Sequence, residues 1–405
     1  MRSPSSRYAN GAGSGARPTK GLDAGQLRTS VPPPSPLPAR FHLSYHTCWQ
    51  TPIVHYSIAG MDWSSQPLTR SLVSTGFEWA HATLHLPTEG VCNDSMDIEF
   101  VITNGYGDWD HAPGGANYFA KTPGRYRLIK GELKEVTSPR VLLVTDLDDT
   151  LIGDDEATAA FAEWWKTEGA PAGGRLVYNT GRSLQLFHRL LEDKRHCMPE
   201  PDVLISAVGT KIYTKEEGSS AWVEDNKYTA SFMNWDLESV RDAAYKALLR
   251  VGKDMMHFRA PEEMNEHKIT VGVRLDALQS VLLCIEQDLS TSDKVVSYRS
   301  IVSGAGEWRF VDLVPREAGK GRAMVYVAQA LGFDDGEMVA CGDSGNDTDM
   351  LQTSLNAIIV GNAHDELKTW AAEKRAERGP ILVQGQRADG ILEGLSMLGF
   401  KTTCK

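Results

Sequence analysis

Four aspartates in two clusters are the residues of this chain best placed to do chemistry. Asp146 and Asp148 stand two positions apart in VLLVTDLDDT, and Asp343 and Asp347 stand in EMVACGDSGND, where glycines occupy 342 and 345. Each cluster follows a short apolar run of the kind that forms a strand buried on both faces of a parallel sheet. The carboxyl ends of such strands are where α/β folds hold their ligands. Carboxylates converging from two strand ends, with glycines letting the backbone come close, make a hard-oxygen site suited to Mg²⁺. Between the clusters, the run RLVYN ends in Thr180-Gly181-Arg182-Ser183. A hydroxyl and free N–H groups at the start of a helix form a natural phosphate cradle. Lys320, in REAGKGRA at the start of a helix over 319–331, supplies a positive charge for an anion.

The elements that position these groups follow from the patterning. The 405 residues are 41% hydrophobic and 23% charged, which excludes a disordered chain and leaves room for two or three domains. A net charge of −11 argues against a general nucleic-acid binder. No apolar stretch approaches the roughly 18 residues of a membrane span, so no membrane partner is expected. The six cysteines include no C-x-x-C pair, so neither a zinc site nor a disulfide framework is indicated and a reducing compartment fits.

Residues 1–40 hold six basic residues against one acid, Asp23, a net +5 that leaves −16 on the remainder. This Ser-, Gly- and Pro-rich tail is expected to be disordered. Its composition also suits an organelle transit peptide, giving a plastid or cytoplasmic location but not a secreted one. Residues 41–134 alternate polar and apolar in short segments such as FHLSYH, MDIEFVITN and GRYRLIKG, which predicts a small all-β sandwich. From 139 onward, strands alternate with amphipathic helices. That pattern predicts a Rossmann-like, doubly wound parallel sheet over 139–213 and 304–405, with an inserted α+β cap over 214–303.

With these residues in order, the chain resembles the haloacid dehalogenase-like phosphatases, whose four motifs are DxDxT (146–150), a strand-end Thr (180), a Lys (320) and GDxxxD (342–347). The step of 34 positions from Asp146 to Thr180 leaves no space for a large domain, whereas the step of 140 from Thr180 to Lys320 accommodates a cap. NTGRS, AVGTKIY, VSGAGEWRFVDLVPREAGKGRA and GDSGND resemble the sucrose-phosphate phosphatases across about 140–400, with one departure: Lys211 stands where an acid is expected.

The resemblance implies an in-line attack on phosphorus by Asp146, with Asp148 as acid and then base. It implies Mg²⁺ held by Asp146, the Asp148 carbonyl and Asp343, with Asp347 close by. Thr180, Gly181, Lys320 and Asn346 would bind the phosphoryl group, and Gly209, Thr210, Tyr213 and Lys268 the sugar. The expected reaction is release of sucrose from sucrose 6-phosphate. Another sugar phosphate such as trehalose 6-phosphate, or a catalytically silent glucan-binding protein, are the alternatives. Residues 41–130 resemble the family 25 carbohydrate-binding modules for starch-type α-glucans, through YHTCWQTPIVHYS, MDWSSQP and EFVITNGYGDWDHAPGGANY. That implies glucan contact by His55, Trp63 and Trp109, with Asn117 as a polar partner.

Overall fold

In the computed structural model the described residues are 40–70, 78–85, 96–122, 124–136, 140–216, 221–292, 294–304, 306–374 and 380–401. The basic tail, apart from Arg40, and with it the transit-peptide expectation, lies outside them. Among the described residues no helix is long and apolar enough to cross a membrane.

The first strands form two sheets. One orders as Glu132–Glu135, Gly124–Ile129, Arg40–Thr47, Glu78–His85, Thr69–Arg70; the other runs Ser64–Pro67, Ile53–Ile58, Met96–Thr103, Trp109–Asp110, with Tyr118–Thr122 also on Met96–Thr103. Period-two alternation sends Phe41, Leu43, Tyr45, Tyr126 and Leu128 inward, where they meet Phe100, Ile102 and Tyr118 of the facing sheet.

The opposite face of the first sheet carries Ser44, His81, Arg125 and Arg127, and it is docked on the second domain. Arg125 donates to the carbonyls of Gly336 (3.1 Å) and Leu398 (2.7 Å) and lies over the Phe400 ring. Arg127 pairs with Asp334 at 3.3 Å and Glu337 at 2.5 Å. His81, buried and hydrogen-bonded to Ser44 at 3.0 Å, packs beside Gly336. Burial pushes the His81 imidazole down to about 3, with the Arg127 and Arg125 charges adding to the effect.

The second domain is built on an eight-stranded sheet ordered Trp222–Glu224, Lys211–Lys215, Val203–Ser206, Arg175–Asn179, Leu142–Thr145, Met338–Gly342, Ala357–Ile359, Ile381–Leu382. The six strands from Val203–Ser206 to Ile381–Leu382 run parallel, and the order reverses at Leu142–Thr145. Each face is covered by helices over its own apolar cluster, one around Leu143, Tyr178 and Ile391, the other around Val144, Met324 and Leu367.

The cap is a four-stranded antiparallel sheet, Met256–Phe258, Ile269–Arg274, Trp308–Pro315, Tyr298–Ser303, backed by helices Leu237–Val251 and Leu278–Ser290. This corrects the domain limits expected from sequence. Trp308–Pro315 belongs to the cap, where Val311 and Leu313 join the cap's core. Lys211–Lys215 and Trp222–Glu224 add an antiparallel edge to the main sheet. Apolar runs cannot say which of two sheets a strand joins.

Candidate active site

Asp146 leaves the end of Leu142–Thr145, its N–H bonded to the Cys341 carbonyl at 3.0 Å on the neighbouring strand. Asp343 follows the end of that neighbour, Met338–Gly342. The two acids therefore flank the point where strand order reverses, and the sheet itself fixes their spacing. Asp347 comes from the short turn Gly345–Asp347. A side chain at Gly342 would place its Cβ 2.5 Å from the Asp347 Cβ, so only glycine lets this turn fold back over the strand end.

One ligand atom from each of Asp146, Asp343 and Asp347 lies within 4.8 Å of the others, and all three residues are buried. Lys320, at the start of helix Lys320–Leu331 and wholly buried, donates from Nζ to Asp146 Oδ1 at 2.6 Å and to Asp347 Oδ1 at 2.7 Å. Asp347 Oδ2 accepts from the N–H groups of Asp343 and Ser344, both at 3.1 Å. The Thr150 hydroxyl donates to Asp343 Oδ1 at 2.8 Å.

Three buried carboxylates share one lysine, and the electrostatics follow. Burial, reinforced by Asp347, pushes Asp343 up to about 6. Burial holds Asp146 well above the usual carboxylate range, with Lys320 opposing and Asp347 and Asp343 adding to it. Burial disfavours the Lys320 charge, yet Asp146 and Asp347 outweigh it and hold the ammonium upward. An all-oxygen donor set with surplus buried negative charge fits Mg²⁺.

Thr180 ends Arg175–Asn179 fully buried, with its Oγ1 accepting from the Arg182 N–H at 3.2 Å. The Asn179 amide donates to the Lys320 carbonyl at 3.0 Å, tying this loop to the lysine helix. Asp148 is half-exposed and bound by Arg182 through two bonds, 2.8 Å from Nε and 2.6 Å from Nη2. Asn346 accepts from the Ser344 hydroxyl at 3.0 Å.

The structure thus brings together Asp146, Asp343, Asp347 and Lys320, with Asp148 and Thr180 linked through Arg182. Sequence reasoning missed Thr150 and Arg182 as partners, although both stand inside the loops it singled out. It also missed the turn Ala207–Gly209, whose φ angles of 50°, 61° and 81° put even Val208 in the left-handed region. The N–H groups of Ala207 and Val208 donate to the carbonyls of Arg182 (2.9 Å) and Thr180 (3.0 Å). Gly209 packs on Gly319 and Lys320, so this turn braces the Thr180 loop and the lysine helix together.

The sugar candidates fall in different places. Thr210 is buried, donates to the Ala207 carbonyl at 3.0 Å and accepts from Asn265 of the cap at 3.1 Å. Lys268, buried on the cap, donates to the Gly181 carbonyl at 3.3 Å and pairs with Asp312 at 3.3 Å. Tyr213 packs on the apolar cluster that holds Leu204 and Phe187.

In the sandwich, His55 stacks on Trp63 with ring centroids 5.0 Å apart and meets Trp109 edge-on at 6.1 Å. Trp63 and Trp109 are 42% and 49% exposed. Asn117 donates to Glu99 at 2.6 Å. His55 and Trp109 of this shelf lie on the sheet that faces the docked one.

Residues 139–399 match the family model described as Sucrose-6F-phosphate phosphohydrolase. Mannosylfructose-phosphate phosphatase of Agrobacterium fabrum is 31% identical over 265 residues, 65% of this chain and 98% of that protein. Probable sucrose-phosphatase 1 of Arabidopsis thaliana is 27% identical over 275 residues, 65% of this chain but only 61% of the plant protein. The crystal structure of the sucrose-phosphatase from Synechocystis sp. PCC6803 in complex with sucrose and phosphate is 28% identical, with a TM-score of 0.54 over 64% of this chain and 98% of that one. The N-terminal quarter aligns with the CBM25 of a Bacillus halodurans amylase in complex with maltotetraose, at 24% identity over 24% of this chain and 97% of that one, TM-score 0.20.

Proposed function

The chain belongs to the sucrose-6F-phosphate phosphohydrolase family and is a sugar-phosphate phosphatase; from that premise we propose that it releases sucrose from sucrose 6-phosphate while its sandwich holds an α-glucan. The observation that carries the chemistry is Lys320 bridging Asp146 and Asp347 inside a buried acidic cluster. Asp146 attacks phosphorus opposite the sugar oxygen; the P–O bond to the sugar breaks and an aspartyl-phosphate forms. Asp148 gives its proton to the leaving oxygen, and Arg182 lets go of the carboxylate for this step. Asp148 then takes a proton from the water that attacks the aspartyl-phosphate, which frees phosphate and restores Asp146. Lys320, Thr180 and the Gly181 N–H hold the phosphoryl oxygens, because positioning and charge supply most of the rate in phosphoryl transfer. Asp146, the Asp148 carbonyl and Asp343, with Asp347 close by, would hold Mg²⁺, which would supply charge neutralisation between the anionic nucleophile and the dianionic phosphate.

The exposed His55–Trp63–Trp109 shelf supports the glucan reading, since aromatic faces stack on the C–H faces of glucose rings. The basic, acid-poor tail supports a plastid address, with the cytoplasm as the alternative. The likeness to a mannosylfructose-phosphate phosphatase makes that disaccharide phosphate the competing substrate.

The test is phosphate release by the full chain, with Mg²⁺ and with EDTA. The panel holds sucrose 6-phosphate, mannosylfructose phosphate, trehalose 6-phosphate, glucose 6-phosphate and p-nitrophenyl phosphate. Sucrose 6-phosphate turned over best, with activity lost in EDTA, is the expected result. Equal Mg²⁺-dependent turnover of every ester removes the sucrose assignment, and no turnover at all removes the mechanism.

A further inference from the structure

Lys211 is the residue at which this chain departs from the pattern it otherwise resembles, and its surroundings explain what a lysine does there. It opens the strand Lys211–Lys215, second from the edge of the main sheet, with its side chain only 6% exposed. Its Nζ pairs with Glu224 of the neighbouring strand at 2.5 Å and, across the boundary between domain and cap, with Glu266. Glu266 belongs to the cap segment 265–268. The same segment sends the Asn265 amide to the Thr210 hydroxyl at 3.1 Å and the Lys268 ammonium to the Gly181 carbonyl at 3.3 Å. Its backbone is held on the cap side by the Trp235 indole, which donates to the Glu266 carbonyl at 2.8 Å.

Two successive core positions, Thr210 and Lys211, and Gly181 of the phosphate cradle are therefore touched by one cap segment. The charges are arranged for this. Glu224 lies on the core side, and Glu266, 60% exposed, lies on the cap side of the same lysine. An acid at 211 would face Glu224 and Glu266 with no cation between them and would push the segment away.

We propose that Lys211 is a positioning residue that latches cap segment 265–268 to the core, and so sets the shape of the sugar-binding side of the cleft. The inference rests on the sugar-phosphate phosphatase reading for its consequence, though not for its geometry. A large leaving group needs the cap in place to be bound, whereas a small aryl phosphate needs only the cradle and the acids. Selectivity between them should depend on the latch.

The experiment uses the full chain with Lys211→Glu, Glu266→Gln, and the charge swap Lys211→Glu with Glu266→Lys, which restores an opposite-charge pair across the boundary between core and cap. kcat and KM are read for the best disaccharide phosphate of the panel and for p-nitrophenyl phosphate, together with amide hydrogen exchange over 265–268. The expected result for Lys211→Glu is a KM for the disaccharide phosphate raised at least tenfold, with kcat for the aryl ester within about threefold and faster exchange over 265–268. Glu266→Gln, which leaves the core strand intact, shows the same direction more weakly, and the swap returns both readings to within about threefold of the parent. Unchanged exchange in both single variants, equal losses on both esters, or no recovery in the swap each overturn the latch. If the parent hydrolyses none of the panel, the functional reading fails, and hydrogen exchange alone still decides whether Lys211 holds the cap.

Discussion

Replacing Gly209 by alanine tests the coupling between the left-handed turn and the lysine helix. The φ of Gly209 is +81°, and an added Cβ would stand 2.4 Å from both the carbonyl carbon and oxygen of Gly319 and 2.8 Å from the Lys320 nitrogen. The left-handed backbone alone costs a non-glycine residue about 1–2 kcal/mol. The clash is with backbone and cannot be relieved by a rotamer change. Ordinary contact near 3.5 Å requires turn or helix to move by about 1 Å, and overpacking of this kind costs about 1–3 kcal/mol. The sum, about 2–5 kcal/mol, corresponds to a fall in Tm of about 5–15 °C. Because the helix that moves carries Lys320, a 1 Å displacement should also cost roughly 10²-fold in kcat.

Gly252 provides the control. Its φ is +88° and nothing lies within 4 Å of an added Cβ, so Gly252→Ala isolates the backbone cost. The assay is differential scanning fluorimetry beside phosphate release for both variants. If Gly209→Ala behaves like Gly252→Ala in both stability and rate, the turn does not brace Lys320 and the reasoning fails.

Asp146→Asn should lower turnover at least about 10³-fold while starch pull-down is unchanged; joint loss would show that the two activities do not reside in separate domains. Trp63→Ala together with Trp109→Ala should weaken starch binding at least about tenfold and leave hydrolysis of soluble sugar phosphate intact, and retained binding would remove the aromatic shelf from the glucan site. His81, held neutral in the fold with its imidazole near 3, protonates in the unfolded chain below about 6.5, so its contribution is complete above that pH and is lost as pH falls toward 3. Relative to His81→Gln, the parent should lose about 2 kcal/mol between pH 7 and pH 5 in urea unfolding. Asp334, raised to about 6 by burial and Glu337, acts in the opposite direction but equally in both proteins. A pH-independent difference would mean that His81 is not sealed at the docking face.

The strands that carry Asp146, Thr180 and Asp343 were legible because strands buried on both faces must be apolar at nearly every position, and few other elements look like that. The acids were legible because polar groups interrupt such runs only where the strand ends. The assignment of Trp308–Pro315 was not legible, since its apolar alternation fits either sheet and only the partners of Val311 and Leu313 decide. The partnership of Arg182 with Asp148 depends on two loops meeting at the carboxyl end of the sheet, and a guanidinium in a helix-start loop reads equally as solvated. The docking of the sandwich was the least accessible feature. Arg125 reaches a carbonyl 273 residues away, and nothing local in GRYRL marks one face of that strand as covered. Its two arginines read as an ordinary solvent face.

That docking has a mechanical consequence. The strand Met338–Gly342, which delivers Asp343, starts directly after the Gly336 and Glu337 groups that Arg125 and Arg127 grip. A sugar-binding module on a loose tether lets its enzyme tumble above a polymer surface and sweep a volume. Here Arg125 and Arg127 tie the module to the catalytic domain, so on the proposed glucan reading attachment through the aromatic shelf would fix the tilt of the cleft against the polymer. Crowded copies would then face the medium at a common angle, and the access of soluble substrate would be set by that angle rather than by linker length.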